Sequence, residues 1–457
     1  MSTDQTPDTP PKPTFDTAAA HMQQPKLRQV RGFPVPVKGP DGQQATLLGL
    51  ADARQISDQP PVVVAPAVKD ILPLMTGEHS LDQIIEKIGR GLTREITEPL
   101  VAQLDAAGLL EGPTFDAMLQ RMREEFDGST ILPPGSTAAM ADALVQGSLG
   151  KDVQATEEQK TELGPQKLAE AFDKWIDEAL KDAKDPAFDE LPKAIVAPHV
   201  DYPRGWMNYA GVWGRMRVVD RPDRVIILGT NHFGTGTGVV GCNKGFSSPF
   251  GESAADEAVV EGLRERLGDS LYEHRYDHER EHSIELQVAW IHHCLGTAPD
   301  GTQCKVYGAL IHDPTVNNGE SYDGNGVSLT AFVEAMRDVI AGLPGKTLVV
   351  SSADLSHVGP MFGDKQPLVS EDGQSEQFRN TVAKTDQDLL AMVEQNKPDE
   401  LIGAMAWQGN PTRWCSVGNM VAAMQITQPG EVKLLHYAGA MDPQGMGLVT
   451  HAAMVMR

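Results

Sequence analysis

From residue 191 onward, short apolar runs alternate with longer stretches of helical period. Residues 193–198 (KAIVAP), 224–229 (RVIILG), 305–311 (KVYGALI) and 346–351 (KTLVVS) are continuous in apolar character rather than alternating. That is the pattern of strands covered on both faces. Residues 432–441 and 446–456 add a hairpin-like pair near the C-terminus. Between these runs, 256–267, 283–295, 327–341 and 375–394 keep an apolar face at helical spacing. Upstream, Leu168, Phe172, Trp175, Ile176 and Ala179 form the stripe of one more helix, which the spacing predicts to pack on the strands and helices after it. This βα alternation predicts one α/β domain over 164–457, a mixed sheet flanked by helices.

The N-terminal part has a different texture. Residues 28–50 carry short β-like pieces broken by Gly32, Pro34, Pro36, Gly39 and Gly42. Val68, Ile71, Leu72 and Met75 predict a helix closed by Gly77. Ser80 reads as the cap of a second helix, with Ile84, Ile85 and Ile88 inward. A third is predicted near 97–107, stopped by Gly108, with Leu109-Leu110 opening a short strand. Three short helices with β pieces predict a small winged-helix-like α+β domain over 25–112. Residues 1–24, rich in Pro, Thr, Asp and Gln, read as a disordered tail. Residues 113–163 read as a connector. The stretch 151–190, with six Lys and twelve acidic residues, reads as solvated surface.

Charge narrows the choice of partners. The 457 residues carry 39 Lys and Arg against 63 Asp and Glu, a formal net charge of −24. That argues against non-specific binding to nucleic acid or anionic lipid. Winged-helix units often bind DNA. Here the 60–112 stretch has four basic and eight acidic residues, which suits docking of a protein or peptide better. No apolar run is long enough for a membrane span. The first twenty residues lack a basic start and an apolar run, so no secretory signal is expected. Four cysteines, irregularly spaced, do not make a disulfide framework, so a reducing cytoplasm is the expected compartment.

The chemistry gathers at strand ends. The 193–198 run leads into His199 and Asp201, 224–229 into Asn231 and His232, and 346–351 into Asp354 and His357. Sites in open α/β sheets lie beyond the C-terminal ends of strands. One histidine there is usually a satisfied structural group, whereas three ends of one sheet point to a site. A fourth piece, residues 277–285 (DHEREHSIE), opens a helix and brings His282 to a cleft. It also matches H-E-x-x-H through His278, Glu279 and His282, the pattern of a zinc hydrolase. That reading needs both histidines on one helix face. Ser283 looks like the cap of the next helix, which places His278 before it, on the surface of a charged loop. The fifth piece is Cys415, beside Arg413 and Trp414, a setting that favours a thiolate. Cys242, Cys294 and Cys304 read as small hydrophobic side chains.

Together, Ala197-Pro198-His199, Leu228-Gly229-x-x-His232, Glu281-His282-Ser283-Ile284-Glu285-Leu286, Ser352-x-Asp354-x-Ser356-His357 and the late Cys415 resemble the Memo-like family. That family includes proteins called AmmeMemoRadiSam system protein B. It is similar in structure to LigB-type (class III) extradiol ring-cleaving dioxygenases, which use non-haem iron(II). The resemblance implies a metal held by His199, His232 and Cys415. Fe(II) is the leading expectation, with copper a competitor because a thiolate is a softer ligand than the dioxygenases' carboxylate. It implies His282, His357 and Asp354 around the open metal positions, His282 or His357 as general acid or base, and Asp354 as an orienting group. Asp201, Asn231 and Glu285 are candidates for residues behind the ligands or against substrate. Three positions depart from the family's usual pattern: Asp201 before Tyr202, Phe233 after His232, and Ser416 after Cys415.

The 25–112 pattern resembles PqqD-like domains that clasp peptides. The family resemblance implies a radical-SAM enzyme as a partner, and the N-terminal domain is expected to tether a peptide, that enzyme or both. The expectation is therefore a metal-dependent redox enzyme. The rival from another class is a non-catalytic binding scaffold on the same fold.

Overall fold

The computed structural model describes residues 12–38, 44–150, 153–371 and 373–457. The chain forms two compact units, Met1–Gly128 and Ser129–Arg457.

In the first unit, a short helix α1 (Ala20–Gln23) precedes an antiparallel sheet of β1 (Val30–Lys38), β2 (Gln44–Asp52) and β3 (Val62–Val64). Helices α2 (Leu81–Ile88), α3 (Arg94–Ala106) and α4 (Pro113–Gly128) come next. Ser80 and Gln83 cap α2 reciprocally, as the Ser80 position predicted. The segment expected to be one helix around 68–75 is two 3₁₀ turns, Pro66–Asp70 and Leu72–Leu74. Pro73 explains the break, because it cannot donate to the preceding turn. The tail prediction needs correction over 12–24. Met22 on α1 is buried in the unit's core with Leu81, Val101 and Leu104, and Phe15 packs against it. Residues 1–11 lie outside the described residues. The described residues of the predicted connector hold α4 first, and those after Gly128 belong to the second unit.

The second unit opens with β4 (Ile131–Leu132), α5 (Ser136–Ser148) and α6 (Glu157–Leu180). Then come β5 (Ala194–Ala197), α7 (Tyr202–Trp213), β6 (Arg224–Thr230), β7 (Val240–Gly241), β8 (Gly245–Ser248), β9 (Gly251–Ser253) and α8 (Glu257–Leu267). They are followed by α9 (His282–Leu295), β10 (Lys305–Ile311), α10 (Leu329–Gly342), β11 (Thr347–Ser352) and β12 (Asp354–Val358). Helices α11 (Gln374–Glu394), α12 (Pro398–Gln408) and α13 (Val417–Thr427) lead to the closing hairpin β13 (Val432–Met441) and β14 (Leu448–Met456). The mixed sheet runs β12-β14-β5-β11-β6-β10-β7, with β13 on β14. Its parallel centre is β5, β11, β6 and β10, and β5, β6 and β11 are almost wholly buried, as their unbroken apolar runs predicted. The main core joins these strands to α8, α10, α11, α12 and α13 through residues such as Ile226, Leu263, Met336, Leu389 and Met420. No helix among the described residues is long and apolar enough to cross a membrane.

Candidate metal centre

Strand register sets the site. Ser352 pairs with Ala197, and Ser351 pairs with Leu228, so β5, β11 and β6 end at one level. The chain leaving these ends carries His199, Asp354 and His232 in turn. Two glycines bring further groups to the same edge. A Cβ on Gly229 would meet Ser283 Oγ at 2.5 Å and Ile284 Cγ1 at 2.8 Å. Its absence lets the first turn of α9 lie against β6, where Ser283 Oγ accepts the Thr230 N–H at 3.0 Å and His282 is carried beside His232. A Cβ on Gly418 would strike the His312 carbonyl at the end of β10. That close approach seats the start of α13 and presents Cys415 just before it.

The result is a cluster of three imidazoles and a thiol. His199, His232 and His282 each offer a ring nitrogen within 4.8 Å of the other two. Ring centroids are 5.0 Å apart for His199 and His232, 4.9 Å for His232 and His282, and 5.6 Å for His199 and His282. Cys415 Sγ lies 3.3 Å from His199 Nε2. His199 is buried, whereas the His232 and His282 side chains are 22 % and 31 % exposed, so the cluster opens to one side.

Two of the three rings, His199 and His232, are held by their Nδ1 atoms. His199 Nδ1 donates to the Ser352 carbonyl at 3.1 Å, and the His199 backbone N–H donates to Asp354 Oδ1 at 3.0 Å. His232 Nδ1 donates to Glu281 Oε1 at 3.0 Å, while its backbone N–H donates to Glu281 Oε2 at 2.9 Å. These bonds hold Nδ1 outward as the donor and turn each Nε2 toward the cluster, where it can ligate a metal once its proton has left. Glu281 also accepts the Ser283 N–H at 2.9 Å, which caps α9.

Electrostatics follow from the same contacts. Burial opposes ionisation of Cys415, but the His199, His357 and His232 imidazoles overcome it and hold the thiol well below its usual value. Burial lowers His232, and Glu281 with Cys415 outweighs it, so His232 titrates well above an ordinary histidine. Burial pushes His282 down to about 4 despite Glu281, which leaves it neutral near pH 7. Burial opposes the Asp354 charge, yet His199, His451 and His357 keep that carboxyl below its ordinary value. Cys242 and Cys294, by contrast, are pushed up to about 12 and Cys304 to about 11, all chiefly by burial.

The Memo-like protein family matches residues 163–455. The chain belongs to that family. No curated protein matches the chain.

Within the Memo-like domain, the structure brings together His199, His232, His282 and Cys415, with Asp354 beside them, its Oδ2 3.6 Å from His199 Nε2. His357 stands at the edge. Its Nδ1 donates to the Leu355 carbonyl at 2.9 Å, and its ring meets Phe362 edge-on. Three other candidates have their polar atoms engaged elsewhere. Asp201 caps α7 and pairs with Arg204 Nε at 2.6 Å. The Asn231 amide donates to Asp277 at 2.8 Å, and its oxygen accepts the Gly234 N–H. Glu285 accepts the backbone N–H groups of Ser136 and Thr137 and the Thr137 hydroxyl, capping α5. Arg413, expected to favour the thiolate directly, extends instead to Asp364 and the His357 carbonyl.

His278 is not on the surface. It is buried in a 3₁₀ turn before α9, and its Nε2 donates to the Val240 carbonyl at 3.1 Å. The H-E-x-x-H pair therefore does not share a helix face, because the helix begins only at His282.

Two groups of supporting residues have roles that the sequence alone did not assign. One is Glu281, whose signal was present: an acidic residue at a helix N-cap directly before a histidine. The other is a buried polar belt. Gln287 donates to the Pro198 carbonyl at 2.6 Å and to Ser352 Oγ at 2.9 Å, and Asn419 donates to the Ser352 carbonyl at 2.7 Å and Thr230 Oγ1 at 3.0 Å. Spaced far apart in sequence, these residues cross-link the ends of β5, β6 and β11 to α9 and α13.

Proposed function

We propose that this Memo-like protein is a metal-dependent redox enzyme centred on His199, His232 and Cys415. The observation that supports this reading is the convergence of the Nε2 atoms of two imidazoles, each braced through Nδ1, with a thiol biased toward thiolate. Such a donor set suits Fe(II) or copper better than a hard cation. A metal ion held there would supply one-electron redox chemistry.

The protein's own residues do the rest. Ser352 and Glu281 fix which nitrogen of His199 and His232 faces inward. His282 is neutral at physiological pH and partly exposed, so it can take a proton from a substrate hydroxyl at the open side. Asp354 balances charge beside His199 and holds the loop after β5. Anaerobic loading of purified protein with Fe(II) or copper, followed by dioxygen uptake with an added reductant, tests the reading. Metal-dependent uptake that vanishes in Cys415→Ser and His232→Ala is expected. Bound metal without any uptake would leave a metal-holding scaffold instead.

A further inference from the structure

The segments that present Asp354 and Cys415 converge on one buried carboxylate outside the ligand cluster. Asp386 lies on α11 and is fully buried. Its Oδ1 accepts from Ser356 Oγ at 2.5 Å and Trp414 Nε1 at 2.7 Å. Its Oδ2 accepts from Tyr437 OH at 2.7 Å and Thr450 Oγ1 at 2.6 Å. All four donors are neutral side chains. A carboxylate buried among neutral groups is costly to leave unmatched, and here every acceptor direction is filled.

The donors are placed to matter. Ser356 lies between Asp354 and His357, and Trp414 directly precedes Cys415. Trp414 Nε1 also reaches Ser356 Oγ at 3.1 Å, so the two segments are tied to each other as well as to Asp386. Thr450 Oγ1 accepts the Ser356 backbone N–H at 2.9 Å, and its neighbour His451 pairs with Asp354 across β12 and β14. Among the described residues, Asp386 thus joins the strand bearing Asp354 and His357, the loop bearing Cys415, and the closing hairpin. It also accounts for the second serine of Ser352-x-Asp354-x-Ser356-His357, whose hydroxyl donates to Asp386.

We propose that Asp386 is a positioning residue for the metal centre, fixing the Cys415 sulfur relative to Asp354 and His357. The proposal rests on the metal-centre reading, and its test separates the two. Asp386→Asn places an amide N–H₂ where two donors already point. Leu390→Ala, which empties a buried site on the same helix, serves as a control of comparable instability.

In Asp386→Asn, Co(II) should bind about tenfold more weakly, the low end for groups that hold ligands from behind. The thiolate-to-Co(II) charge-transfer band should also shift or weaken, while Leu390→Ala keeps both properties. In metal-free protein, iodoacetamide should label Cys415 several-fold faster in Asp386→Asn than in Leu390→Ala. An unchanged band and labelling rate in Asp386→Asn, or equal changes in Leu390→Ala, would overturn the proposal. A wild type that takes up no Co(II), with Cys415 labelling still altered in Asp386→Asn, would remove the metal reading and keep the positioning role. Trp414→Phe removes the indole bonds to Asp386 and Ser356, leaves the other three donors to Asp386, and covers a failure of Asp386→Asn to fold. The same band shift is expected there, and an unmoved band overturns the proposal.

Discussion

Glu281→Gln perturbs the centre while sparing every atom that would touch a metal. The Glu281 side chain is wholly buried and accepts three hydrogen bonds: from His232 Nδ1 at 3.0 Å, the His232 backbone at 2.9 Å and the Ser283 backbone at 2.9 Å. Glutamine offers one oxygen to those three donors and turns an N–H₂ toward another. A buried hydrogen bond to a charged group contributes about 1.5–3 kcal/mol, so a loss of about 3 kcal/mol in the metal-free protein is expected. Metal affinity should fall about 10–100-fold, or about 1.4–2.8 kcal/mol, because the tautomer lock on His232 is gone.

The stability gap between wild type and variant depends on pH with a definite sign. Burial works against the Glu281 charge, but His232 and His282 hold its carboxyl well below the usual range. Its contribution is therefore present above the unfolded value of about 4.3 and is lost as pH falls through the depressed folded value. His232 is raised, so its contribution is complete below about 6.5 and is lost as pH rises through the folded value. The gap should be widest near about pH 5–6 and narrow on both sides. Urea unfolding across this range, with metal titrations at one pH, measures both quantities. A variant with wild-type metal affinity and a flat gap would refute the reasoning.

Three further outcomes are expected from the same geometry. Brief alkylation near neutral pH should label Cys415 and leave Cys242, Cys294 and Cys304 unmodified by peptide mapping, since burial holds those three thiols at about 11–12. Comparable labelling of Cys242 would contradict the electrostatic account. His278→Ala should leave metal stoichiometry unchanged, and a loss of bound metal would revive the zinc-hydrolase reading. Glu285→Ala should lower thermal stability, by about 0.5–2 kcal/mol for a lost helix cap, without altering metal affinity. A large affinity change there would show that Glu285 acts at the centre rather than on α5.

The fold of the second unit was legible because its strands are buried on both faces. Runs such as 224–229 and 305–311 have no polar interruption to confuse with a helix, and they coincide with β6 and β10. The first unit was harder. Pro73 broke an apparently helical spacing, and Met22 was a single apolar anchor within a polar stretch. At the site, residues just beyond strand ends could be found by position alone, which brought out His199, His232 and Asp354. Asp201 and Glu285 carry the same charge type, and only the structure shows their carboxylates engaged in capping α7 and α5. Groups joined only through long-range contacts, such as Asn419 with Ser352 or Asp386 with Trp414, leave no local pattern to read.

Whether sulfur joins the imidazoles on the metal decides the account. X-ray absorption at the edge of Fe or Cu bound to the full chain measures this directly. If the proposed ligand set holds a metal, one sulfur scatterer together with imidazole nitrogens is expected in wild type, and loss of the sulfur in Cys415→Ser. A wild-type spectrum with only nitrogen and oxygen neighbours would contradict it.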